Sequence, residues 1–218
     1  MMNPSKVMES ISIKLNQKLI PDQIQRLQQQ IEFMLEIDKL KHILRRTILT
    51  DRSREENSAE HSWHIAIAVF LFSEYAQDQN IDWYRVIKIL LVHDLVEIDA
   101  GDTYCYDHQG RKDQAQREQK AAERIFKILP LDQSRSFREL WDEFENRETP
   151  ESKYANALDR FQPFLQNYAT KGQIWRENNI TRRQVKDRMQ PMFDGAPLLW
   201  NLVELLIDDA VQKKYLAG

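Results

Sequence analysis

The chain has 218 residues, 42% of them apolar and 30% charged, with a net charge of −3. That composition supplies a sizeable core, and the acidic balance argues against a polyanion as main partner. The single cysteine, Cys105, excludes an internal disulfide framework and fits a reducing compartment.

The first ten residues include Lys6 and Glu9 and hold no apolar stretch of signal-peptide length. The longest purely apolar run, residues 65–72, falls far short of the roughly 20 residues that span a bilayer. A soluble cytoplasmic chain is expected, with no membrane partner.

Helical spacing recurs almost throughout. Met8, Ile11, Leu15 and Leu19 form one apolar stripe, which Pro21 ends. A second helix is predicted from Asp22 to about Arg46, with Ile24, Leu27, Ile31, Met34 and Leu35 inward. Residues 50–58 are polar and read as a loop. A helix then starts near Ser58, with His61 in its first turn. Ser58-Ala59-Glu60-His61 is not a capping box, and residues 65–72, apolar on every side, predict a buried helix.

Asp82 is a candidate cap for a helix from Trp83 to about Ile98, which Gly101 ends. Residues 99–110 read as a loop and residues 111–129 as helix. Beyond Pro130 the spacing of Phe137, Leu140, Trp141 and Phe144 continues through Tyr154, Leu158, Phe161 and Leu165, with a kink expected at Pro163. A short helix is predicted over 181–193 and a last one after Pro197. No strand with convincing alternation, repeat or linker is visible. The expectation is one all-α domain, residues 1–218, of about eight or nine helices.

An adjacent His93-Asp94 pair interrupts the otherwise apolar run 89–96. Burying an imidazole and a carboxylate together is costly unless something compensates both, and a divalent metal would. His61 and Asp159 are suitable further donors, giving His61, His93, Asp94 and Asp159 as a four-ligand candidate. This nitrogen and oxygen set suits Mn²⁺, Fe²⁺, Co²⁺, Ni²⁺ or Zn²⁺ better than Mg²⁺. Each histidine alone also reads as a hydrogen-bonded core residue. His64 reads as helix-face packing, and His42 and His108 as surface residues.

Glu97 lies one turn after His93 and on the same side as the candidate ligands. It reads either as a proton carrier or as a partner that orients His93. Asp102 reads as a functional carboxylate or a turn residue. Arg46 reads as a phosphate ligand or a solvated helix end. Tyr104 and Tyr106 are candidates for lining a nucleoside pocket.

Three segments occur in order: Asn57-Ser58-Ala59-Glu60-His61, then Val92-His93-Asp94-Leu95-Val96-Glu97 with Gly101-Asp102, then Ala157-Leu158-Asp159. The pattern resembles the HD-domain superfamily of metal-dependent phosphohydrolases, most closely the 5′-deoxynucleotidase branch. The resemblance covers about residues 35–168 and leaves 169–218 as a C-terminal helical extension. It implies a helical bundle, one divalent metal held by His61, His93, Asp94 and Asp159, and Glu97 and Asp102 as catalytic carboxylates. It also implies substrate binding by Arg46. Where that branch often carries a tryptophan after the arginine, this chain has Thr47. Relatives in the branch are often dimers, so the apolar C-terminal helix reads as either an interface or a core element.

The expected function is removal of phosphate from small nucleotides, with (deoxy)ribonucleoside 5′-monophosphates as the substrate class. The alternatives are an HD-type phosphodiesterase or pyrophosphohydrolase acting on cyclic nucleotides or guanosine alarmones, or a non-catalytic metal-containing module. No basic cluster stands out beyond Arg182-Arg183, so nucleic acid is not an expected partner.

Overall fold

A computed structural model describes residues 20–218. The stripe from Met8 to Leu19 lies outside the described residues. The helices are α1 (Pro21–Ile37), α2 (Ser58–Phe72), α3 (Trp83–Val92), α4 (Glu97–Ala100), α5 (Gln114–Phe126), α6 (Leu131–Asn146), α7 (Pro150–Ala169), α8 (Gln173–Glu177), α9 (Arg182–Met189) and α10 (Pro197–Gln212). The all-α expectation is met, with one small exception. Strands β1 (Leu44–Ile48) and β2 (Glu55–Asn57) pair antiparallel, with a bulge between the Leu44–Asn57 and Ile48–Glu55 partners.

That ribbon corrects the sequence reading on both sides of Arg46. The second helix stops at Ile37 and tightens into a 3-10 turn, Asp38–His42. The segment read as a loop contains β2. Arg52 turns the chain back in the left-handed region at φ 64°. Strand β1 is five residues long with two adjacent arginines at its centre, so it does not look like a half-buried strand in sequence.

Other boundaries shift for local reasons. Asn57, not Ser58, caps α2: its side chain accepts from the Glu60 N–H while Glu60 reaches back to the Asn57 N–H. A capping box is therefore present, one residue earlier than the frame considered. Asp82 caps α3 as expected, accepting from the Arg85 N–H at 3.0 Å. The winding then tightens into a 3-10 turn over His93–Val96 before α4. Gly101, at φ 73°, ends that segment. The stretch read as one continued helix is α6 and α7, parted where Arg147 takes φ 55° and Pro150 starts a new helix under the Thr149 cap.

Helix α7 is central and packs against α2, α3, α6 and the 3-10 turn Gln190–Asp194. Ile65 and Val69 of α2, Val86, Ile89 and Leu90 of α3, Ile125 of α5, and Leu158 and Phe161 of α7 share one buried cluster. Val185 of α9 and Val203 and Ile207 of α10 join it, so the C-terminal helices complete the same core. Burial of this kind stabilises by roughly 1.5–3 kcal/mol per large aliphatic side chain.

Helix α2 departs from expectation in one respect. Its apolar sequence is buried on one side only; Trp63 and Phe70 are 63% and 68% exposed, and Ile67 and Leu71 lie beside them in the open. Pro163 sits within α7 and removes the N–H that would bond the Asp159 carbonyl one turn back. No helix among the described residues is long and apolar enough to cross a membrane.

Candidate metal centre and substrate cavity

Three elements deliver the four sequence-predicted donors to one place. His61 comes from the capped first turns of α2, His93 and Asp94 from the 3-10 turn after α3, and Asp159 from the middle of α7. One ligating atom each from His61, His93 and Asp94 lies within 4.8 Å of the other two. Asp159 Oδ1 stands 3.0 Å from His61 Nε2 and 3.6 Å from His93 Nε2. Asp94 Oδ1 is 2.9 Å from His93 Nε2, and its Oδ2 is 4.0 Å from His61 Nε2.

Hydrogen bonds fix which nitrogen of each ring faces the cluster. His93 Nδ1 donates to the Leu90 carbonyl at 2.8 Å. His61 Nδ1 lies 2.9 Å from the side-chain oxygen of Gln162. The orientation of Gln162 follows from Glu56, a buried carboxylate that only accepts. It takes the Gln162 amide N–H at 2.8 Å, which leaves the amide oxygen for His61. In the neutral rings both Nε2 atoms are then lone pairs aimed at carboxylate oxygens. His93 Nε2 is buried with no partner in hydrogen-bond geometry. Nitrogen lone pairs and carboxylate oxygens crowded together without a proton repel, so the donor set fits a cation.

The close approach of imidazoles and carboxylates sets the electrostatics of the cluster. Burial alone would lower His93, but the Asp94 and Asp159 carboxylates outweigh it and hold the imidazole well above its usual value. Burial would raise Asp159, yet the His61 and His93 imidazoles packed beside its carboxylate hold it well below the ordinary carboxylate range. Asp94 is likewise lowered, against its burial, by His93 and Arg45.

Glu97 is buried, and its Oε2 accepts from Ser58 Oγ at 2.6 Å. In a 3-10 turn residues three apart stack, which brings Glu97 over Asp94. Burial and that neighbouring charge push Glu97 well above the usual carboxylate range. Asp102 follows Gly101 and is raised by burial despite the Arg45 charge 3.9 Å away.

Arg45 escaped the sequence reading. It is half-buried on β1 and pairs with Asp94 Oδ2 at 2.8 Å. Its charge is held more firmly than usual because the site's four carboxylates outweigh burial. Arg46, one residue on and therefore on the opposite face of the strand, lies at the rim of the cavity. A strand reading of 44–48 would have been the signal separating the two.

The cavity beside the cluster encloses about 180 Å³. Tyr104 and Tyr106 line it as an edge-to-face pair, ring centroids 5.4 Å apart at 75°. Arg147, Arg160 and Arg188 also line it. Arg160 is lowered to about 9 by burial and by the neighbouring guanidiniums of Arg188 and Arg147. His64 stays outside the cluster and accepts from the Gln162 amide at 3.1 Å. Arg54 clamps Glu60 with two hydrogen bonds of 2.8 and 2.6 Å and so braces the α2 cap.

Comparison with known proteins agrees with this architecture. The 5′-deoxynucleotidase HDDC2 of Homo sapiens is 26% identical over 137 residues, 62% of this chain and 65% of the relative. The protein of that name from Dictyostelium discoideum is 28% identical over 172 residues, 76% and 87% of the two chains. The match thus spans just under two thirds of the human protein. A crystal structure described as a "Predicted metal-dependent phosphohydrolase" from Magnetospirillum magnetotacticum superposes with a TM-score of 0.87. It is 48% identical and covers 92% of this chain and 100% of its own. The profile of the HD domain matches residues 37–200, past the point where the motif resemblance ended and into α10. With three quarters of its length matched and all the family's motif segments folded onto one cluster, this chain belongs to the HD domain family.

Proposed function

We propose that the chain is a metal-dependent phosphohydrolase that releases phosphate from small nucleotides, with (deoxy)ribonucleoside 5′-monophosphates as its substrate class. His61, His93, Asp94 and Asp159 hold the ion in this reading. The observation that carries it is the convergence of two imidazole Nε2 lone pairs with two carboxylates, one nitrogen buried without a partner. The names of the HDDC2 relatives and of the Magnetospirillum structure support the same reading. Mixed nitrogen and oxygen donors favour Mn²⁺, Fe²⁺, Co²⁺, Ni²⁺ or Zn²⁺ over Mg²⁺. When bound, such an ion supplies Lewis acidity that polarises a phosphoryl group and acidifies water.

The chain's own residues supply the remainder. In hydrolysis a water oxygen bonds to phosphorus, the bond to the sugar oxygen breaks, and the leaving oxygen takes up a proton. Glu97, buried and braced by Ser58, holds a proton beside the cluster and is assigned its delivery. Asp102 and Arg45 set the charge balance around it, and Asp102 is the second candidate for the proton's path. Arg46 at the rim and the Tyr104–Tyr106 pair face the space where a nucleoside enters.

The test combines elemental analysis of the purified protein with product analysis on nucleoside mono-, di- and triphosphates. Inorganic phosphate plus nucleoside is the expected product of a monophosphate. A nucleotide product would instead assign diester or pyrophosphate hydrolysis. Bound metal with no turnover on any substrate would assign a non-catalytic module.

A further inference from the structure

We propose that Arg147, Arg160 and Arg188 form a phosphate-binding wall beside Asp159, and that this wall grips the phosphoryl group of the substrate. The inference rests on the phosphohydrolase reading and names residues for it that no motif marks. The three guanidiniums come from the end of α6, from α7 and from α9, and all line the cavity that His93, Asp94 and Asp159 also line.

Arg160 is the core of the argument. It is only 4% exposed, and its Nε is buried without a hydrogen-bond partner. Among the described residues no carboxylate lies within ion-pair distance of it. A buried guanidinium is stable only with an anion to face. The neighbours cannot serve. Asp159 is engaged by the two imidazoles, and Asp94 by Arg45. Arg188 adds a second underused charge: among the described residues its one ion-pair contact is a long one, Nη2 to Asp159 Oδ2 at 4.0 Å. Arg147 brings a third from a left-handed backbone position at φ 55°, a conformation disfavoured for a side chain of its size. Glu145, also on the cavity wall, forms no ion pair with any of the three.

With a divalent ion balancing Asp94 and Asp159, these arginines are surplus positive charge. Their planar donor pairs match the oxygens of a tetrahedral oxyanion. Because Arg188 lies against Asp159, a phosphoryl group held there would touch both the arginines and the ligand cluster. A remote regulatory anion site is thus the less economical reading.

The experiment titrates inorganic phosphate, the expected product, into Mn²⁺-loaded protein and follows the unfolding midpoint and the ³¹P line width. Wild type is compared with Arg188→Gln and Arg147→Gln, the first half-buried and the second exposed, so the fold should tolerate them. The expected result is phosphate affinity at least tenfold weaker in each variant, with Mn²⁺ binding unchanged and KM for nucleotide raised more than kcat is lowered. Equal phosphate affinity in all three proteins would overturn the wall, whatever the turnover. Phosphate binding that depends on these arginines, in a protein that hydrolyses no nucleotide, would overturn the hydrolase reading and assign the wall to free phosphate.

Discussion

His61 and His93 face one another across a single carboxylate oxygen. Their ring centroids are 5.7 Å apart, and Asp159 Oδ1 lies 3.0 and 3.6 Å from the two Nε2 atoms. Both Nδ1 atoms are committed elsewhere, so only a proton or a cation can relieve the crowding of lone pairs between them.

Replacing His93 by Ala should abolish stoichiometric Mn²⁺ loading and reduce phosphate release to background, while circular dichroism stays that of the wild type. Chelation of the wild type should do the same reversibly, and should lower the unfolding midpoint because the ion binds only the folded state. Turnover unaffected by both treatments would end the metal assignment.

Metal affinity should fall as pH falls. The metal-free protein holds His93 protonated to well above the usual imidazole value, and binding requires the neutral ring. Calorimetry in buffers of different ionisation enthalpy should show proton release on Mn²⁺ binding at pH 7. In the metal-free protein the raised His93 contributes stability that is fully present below its unfolded value of about 6.5 and is lost as pH rises through its folded value. Asp94 and Asp159, held low, contribute stability that is lost in acid. Glu97 and Asp102, both raised, lose stability as pH rises past about 4, so metal-free protein should be most stable toward the acid end of the range between about pH 4 and 6.5, and metal-loaded protein at higher pH.

Glu97→Gln keeps the shape of the side chain and removes its titratable proton. Turnover should drop by about 10²–10³-fold with metal content unchanged, the scale of a lost general acid. Ser58→Ala should act in the same direction and more weakly, through loss of the 2.6 Å hydrogen bond. Wild-type rates in Glu97→Gln would reassign the proton to Asp102.

Glu56→Leu should weaken metal binding from a position that touches no ligand oxygen. Glu56 accepts from both the Gln162 and Gln166 amides at 2.8 Å. Without it Gln166 loses its acceptor at a cost of about 1–3 kcal/mol, and Gln162, left with only the longer contact to His64, is held less firmly in its orientation toward His61. Mn²⁺ affinity should fall by about 10-fold or more, as for other residues that orient a ligand. An unchanged affinity alongside the stability loss would limit Glu56 to packing.

Arg45→Met should destabilise the metal-free protein by about 3 kcal/mol at neutral pH, because Asp94 and Asp102 lose their compensating charge in a buried setting. Urea unfolding measures this directly. A loss below about 0.5 kcal/mol would class the pair with ordinary surface ion pairs.

The helical class was legible in the long apolar periodicity, and the convergence of His61, His93-Asp94 and Asp159 in the order of three segments that resemble the HD pattern, since each histidine alone is a weak signal. What stayed hidden has physical reasons. The β1–β2 ribbon is too short and too charged to show alternation, and so Arg45 passed for a helix residue. The Asn57 cap fell one position outside the frame considered. The exposure of Trp63 and Phe70 was invisible because an apolar run states a preference for burial, not which neighbours arrive to satisfy it. Arg160 and Arg188 follow no motif; only folding brings α7 and α9 to one cavity wall.

Pro163 has a consequence for motion. The turn of α7 that carries Asp159 is one rung short, since residue 163 cannot donate to the carbonyl four positions back. The backbone under that carboxylate should open locally more easily than the rest of the helix, and a cation tying Asp159 to α2 and the 3-10 turn should close it. Amide exchange in the turn around Asp159 would then slow on loading far more than in α10, giving a readout of occupancy that needs no substrate.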